Sequence, residues 1–126
     1  RPEFLKIAYN GPEAMQQLAA HDPSMVVGVL GGAGATHRDT FELIAQSERH
    51  GARLALFGRK INQAEDQCLL ISWMRRVADR AATPEEAVRG YHADLGHKGL
   101  HPDRALDQDL TITSEVLRFD ATPVAV

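Results

Sequence analysis

Three short apolar runs alternate with longer stretches in which apolar positions recur every three or four residues. Phe4-Leu5-Lys6-Ile7-Ala8-Tyr9, Met25 to Leu30 and Arg53 to Phe57 read as strands. The near-continuous apolar content of the second suits a parallel strand buried on both faces. A first helix starts at Pro12, with Asn10 or Gly11 as its cap, and carries Ala14, Met15, Leu18 and Ala19 at helical spacing. His21-Asp22-Pro23 ends it. A second helix runs from about Arg38 to His50, with Phe41, Ile44 and Ala45 on one face and Gly51 as its C-terminal cap. A third spans about Ala64 to Arg80, and Leu69, Leu70, Trp73, Met74 and Val77 give it a core face. Thr83-Pro84-Glu85-Glu86 is a helix start, and that helix continues to about Leu95. From Gly96 on the pattern weakens to an irregular surface segment, a short strand at Leu110-Thr111-Ile112-Thr113 and a tail. Strand–helix alternation of this kind predicts an α/β fold with a parallel sheet, as a barrel or open.

Composition narrows the partners. The 126 residues suffice for one domain with its own core, and a net charge of -3 gives no reason to expect nucleic acid or an anionic membrane. No apolar run approaches the roughly 20 residues of a membrane span, and no signal-peptide pattern is present. A single cysteine, Cys68, excludes an intrachain disulfide and fits a reducing, cytoplasmic location. With Leu69, Leu70 and Ile71 behind it, Cys68 is expected to be a buried helix residue. The chain opens at Arg1-Pro2-Glu3 rather than Met and enters a strand almost at once, which reads as a piece of a longer protein.

The candidate chemistry begins with Lys6, a charge in an otherwise apolar strand. On an edge strand it is a solvated lysine. Desolvated, it is an amine nucleophile that forms a Schiff base. Gly31-Gly32 and Gly58-Arg59 follow the next two strands, where backbone N–H groups approach an anion closely and Arg59 suits a phosphate; ordinary strand-to-helix turns are the alternative. The six histidines show no ligand spacing, so no metal is expected, and a surface role is preferred for His37. Tyr9 is read as packing, and Glu65 and Asp66 as carboxylates in a helix first turn.

Lys6, Tyr9 and Gly11, with Gly31-Gly32 and with Phe57-Gly58-Arg59 and Asn62, resemble the last three strands of class I aldolases. The archaeal-type fructose-bisphosphate aldolases and their deoxyribose-phosphate aldolase relatives are the nearest in pattern. The likeness covers about residues 4–80 and loosely extends to 95; Leu30 and Pro12 stand where that family has a small and an acidic residue. Lys6-Ile7-Ala8 is also similar to the lysine strand of type I dehydroquinases, which does not account for Gly58-Arg59.

The resemblance implies the C-terminal three strand–helix units of a TIM (β/α)8-type barrel over residues 1–95, with a C-terminal helical extension over 96–126. It implies metal-independent cleavage or condensation of a phosphorylated sugar or ketose, without a cofactor. Lys6 would be the catalytic amine, with Gly31, Gly32, Gly58 and Arg59 binding phosphate. The family's acid/base residues would lie before residue 1, so this stretch alone is expected to be inactive. Three units do not close an eight-stranded barrel, so self-association into a homo-oligomer is expected. A degenerate, non-catalytic phosphosugar-binding barrel fragment is the alternative.

Overall fold

The computed structural model describes residues 4–21, 26–30, 36–52 and 54–118. Among these, seven helices and three short strands occur. In chain order they are β1 (Phe4–Ala8), α1 (Pro12–His21), β2 (Val26–Leu30), α2 (His37–Arg49), β3 (Leu54–Leu56), α3 (Arg59–Asn62), α4 (Gln67–Ala78), α5 (Pro84–His97), α6 (Leu106–Asp109) and α7 (Glu115–Arg118). The strands pair in parallel in the order β1-β2-β3, with Ala8 level with Leu30 and Leu30 level with Leu56.

The expectation of α/β barrel units is corrected: the body of the domain is helical. In a barrel unit each helix buries its apolar stripe against the sheet. Here the principal core is helix on helix: Phe41 and Ile44 of α2 meet Leu70, Met74 and Val77 of α4 and Ala87, Val88, Tyr91 and Leu95 of α5. α4 and α5 follow one another with no strand between them, and β3 has only three residues. Their long apolar stripes are satisfied by each other and by α2. Close approach of the pair depends on Gly90, where a Cβ would stand 2.2 Å from the Trp73 ring. The expected strand at Leu110–Thr113 does not form; the chain there is a turn and an irregular connection between α6 and α7.

A smaller cluster of Tyr9, Met15, Ala52 and Leu117 joins β1, α1 and α7 to another side of α2. α2 is therefore the central element, and most of its buried side chains are polar: His37, Arg38, Asp39, Thr40, Glu42, Gln46 and Ser47. Burying such groups is tolerable only with partners. Arg38 donates to Glu42 at 3.0 and 3.1 Å, and Gln46 donates to Glu42 at 3.1 Å and to the Leu117 carbonyl at 2.7 Å. Tyr9 donates to Gln46 at 3.3 Å. The Asp39 carboxylate accepts from the Thr113 hydroxyl and, at 2.8 Å, from the Thr113 N–H. These bonds fasten the segment from α6 to α7 along α2. Among the described residues, no helix is long and apolar enough to cross a membrane.

Candidate acid–base site at the start of α2

A reciprocal cap starts α2. The Thr36 hydroxyl accepts from the Asp39 N–H at 3.1 Å, and the Asp39 carboxylate accepts from the Thr36 N–H at 3.2 Å. His37 then occupies the first helical position, where the backbone N–H has no partner inside the helix. That N–H donates to Asp109 Oδ1 at 2.7 Å. The His37 ring adds a second bond, Nδ1 to Asp109 Oδ2 at 2.6 Å. His92, from α5, brings Nε2 to the same oxygen at 2.6 Å. An ionised carboxylate only accepts, so both ring nitrogens facing Asp109 carry protons.

The carboxylate of Asp109 is buried, and burial pushes its pKa up. The hydrogen bond and charge of His37, then the bond from His92, outweigh this and hold it well below the usual carboxylate range. The far nitrogen of His37, Nε2, lies 3.5 Å from Glu65 Oε1. Glu65 is positioned in turn by the Asp103 N–H at 3.0 Å and by the Tyr91 hydroxyl, which donates at 3.2 Å. Burial raises the Glu65 pKa, but these bonds and the charge of His37 bring it below its ordinary value. The Tyr91 ring packs 4.8 Å from that of His37, and burial drives its hydroxyl pKa upward.

His37 and Glu65 open onto a cavity of about 270 Å³ that is also lined by Lys60, Gln63, Ala64, Asp103 and Arg104. Lys60 is buried. Burial lowers its pKa, nearby Asp109 partly restores it, and Arg104 lowers it again. A cavity edged by an amine of reduced basicity, an imidazole oriented by a carboxylate, and a second carboxylate can transfer protons and bind a small polar molecule. A larger cavity, about 320 Å³, lies by the C-terminal half of α2, where Glu48 and Arg80 pair at 3.0 Å on its wall.

Comparison with protein-family models, with curated proteins and with solved structures finds no match.

The residues singled out by sequence are dispersed. Lys6 lies in β1, paired with Gly28 of β2; its side chain is outside the described residues, as are Gly31 and Gly32. Gly58 caps α3 and Arg59 opens it, both exposed; neither lines the cavity, whereas the next residue, Lys60, does. A Cβ at Gly58 would meet nothing within 4 Å, so packing does not demand a glycine there. Tyr9 packs, as expected, and is also hydrogen-bonded. Cys68, expected inside, is exposed. His37, expected on the surface, is buried, and Glu65 belongs to the site rather than only to a helix start. Lys60, His92 and Asp109 carried no signal in the sequence. Asp109 lies 72 residues from His37 and 17 from His92, so no local spacing marks the cluster.

Proposed function

We propose that this chain carries the imine-forming lysine and the phosphate contacts of a protein that acts on a small phosphorylated carbonyl compound in the manner of a class I aldolase. The observation that carries the reading is strand register. Ala8, Leu30 and Leu56 are level across the parallel strands, so Tyr9-Asn10-Gly11 and Gly58-Arg59 leave the sheet at one edge. Neighbouring parallel strands lie about 4.8 Å apart, so segments leaving them at one end stand within reach of one ligand. Gly31 and Gly32 follow β2 directly in the chain.

In this reading the Lys6 amine adds to the substrate carbonyl, and loss of water leaves an iminium. The iminium accepts the electron pair released when the bond between its α and β carbons breaks: the β-hydroxyl gives its proton to water and its carbon departs as an aldehyde, and the enamine left behind is reprotonated at carbon and hydrolysed; condensation is the reverse. The exposed Arg59 guanidinium holds the phosphate. Reductive trapping tests this: incubation with a ketose phosphate and borohydride is expected to leave one stable adduct on Lys6, and Lys6→Arg to abolish it. Imine formation needs only the amine and the phosphate contact, so it is readable even without turnover.

A second reading places the same chemistry at Lys60, favoured by its burial in the cavity beside His37 and Glu65. There His37 would relay the proton during carbinolamine dehydration. Mapping the trapped adduct to Lys6 or Lys60 separates the two.

A further inference from the structure

We propose that His37, His92 and Asp109 form a binding site for one divalent transition-metal ion of the zinc class. The three side chains come from α2, α5 and α6, and their ligand atoms lie within 4.8 Å of one another. Two imidazole nitrogens and one carboxylate oxygen are a donor set that zinc accepts, with the fourth tetrahedral position left to water.

The cluster takes the ion by exchanging two hydrogen bonds for metal bonds, with side-chain rotation of the two rings. The Nδ1 of His37 and the Nε2 of His92 each lie 2.6 Å from Asp109 Oδ2, which are hydrogen-bond lengths. Ligand atoms around a tetrahedral zinc with bonds of ~2.0–2.1 Å stand about 3.3 Å apart, so Asp109 Oδ2 must withdraw from each ring by less than an ångström while the two ring nitrogens, up to 4.8 Å apart, swing toward each other. The ring protons now facing Asp109 would move to the opposite nitrogens. For His37 that nitrogen is Nε2, and Glu65 Oε1 is already 3.5 Å from it, ready to accept.

The outer contacts have the form of a metal site's supports. A carboxylate behind a ligating imidazole fixes its tautomer and orientation, which is the relation of Glu65 to His37. The other oxygen of the ligating carboxylate, Asp109 Oδ1, is held by the His37 backbone N–H at 2.7 Å. Glu65 is itself anchored by Asp103 and Tyr91.

The test is titration of the chelator-stripped full chain with zinc chloride, read by calorimetry and by competition with a chromophoric chelator. One equivalent is expected to bind tighter than about 10 μM. His92→Gln should weaken binding at least ~100-fold, and Glu65→Gln, which keeps the ligands, about 10-fold. Cobalt in place of zinc should give the visible bands of a four-coordinate ion. Circular dichroism of each variant reports folding, and Glu65→Gln keeps the proposal testable if His92→Gln unfolds. Absence of binding at 10 μM overturns the site. So does zinc affinity that is unchanged in folded His92→Gln or in Glu65→Gln, which would place the metal on the exposed histidines instead.

Discussion

His37 and Asp109 are joined twice. The backbone N–H and the ring Nδ1 of His37 donate to the two oxygens of one buried carboxylate, at 2.7 and 2.6 Å. The pair ties the first turn of α2 to the four-residue helix α6, and His92 adds α5. Hydrogen bonds to a charged, buried acceptor each contribute about 1.5–3 kcal/mol. Asp109→Asn keeps the shape but removes the charge, and one of its two acceptor positions becomes an NH₂ donor facing an N–H. A loss of about 2–3 kcal/mol is expected in urea denaturation, with the far-ultraviolet spectrum retained.

Gly90 and Trp73 set the spacing of α4 and α5. A Cβ at Gly90 would stand 2.2–2.8 Å from three atoms of the indole ring, and that ring is held by its N–H bond to Asp94 at 2.9 Å and by Arg76 above it. The ring has little freedom to retreat, so overpacking follows. Gly90→Ala is expected to lose about 1–3 kcal/mol despite the better helix propensity of alanine. Thermal melting checks this; an unchanged or raised midpoint would show that the two helices separate freely.

Lys60 should titrate below Lys98. Burial lowers its pKa, with Arg104 adding to the effect and Asp109, Glu65 and Asp39 opposing it. Lys98 is shifted upward by its hydrogen bond to Asp66. Reductive methylation with carbon-13 and a pH series by NMR should find a dimethyl-lysine signal that titrates below that of Lys98, and Lys60→Met should delete it. The linkage sign follows. The folded value lies below the unfolded 10.5, so the folded state releases this proton first. Stability contributed through Lys60 therefore rises with pH across the interval between the two values, and this rise should be missing in Lys60→Met.

Self-association is expected from the sheet. Among the described residues β1 and β3 each pair on one side only, which leaves a row of backbone donors and acceptors at each edge. Size exclusion with light scattering at micromolar concentration should report a dimer or larger species. A clean monomer would mean that these edges are covered within the chain.

Local signals in the sequence located most elements. Thr83, Pro84 and Glu86 form the reciprocal cap they spell, with bonds of 2.9 and 3.2 Å, and Gly51 takes the positive φ of a helix end. These depend on neighbours a few residues apart. The assembly did not follow, because alternation of strands and helices does not say which faces meet. Leu70, Met74 and Val77 met Tyr91 and Leu95 instead of a sheet, and a barrel expectation built on the three strands failed there. The polar core of α2 was hidden for a related reason. His37, Asp39 and Gln46 look solvated in the chain, and their partners Asp109, Thr113 and Leu117 lie in a segment read as irregular surface and tail.

The central claim is that an amine of this chain forms an imine with a phosphorylated carbonyl compound. Its most direct measurement is intact-mass spectrometry after borohydride reduction with a ketose phosphate, followed by peptide mapping. The account predicts one adduct per chain, on Lys6, lost in Lys6→Arg and suppressed by excess inorganic phosphate. No adduct with any phosphorylated ketone or aldehyde, or labelling spread evenly over Lys6, Lys60 and Lys98, would contradict it.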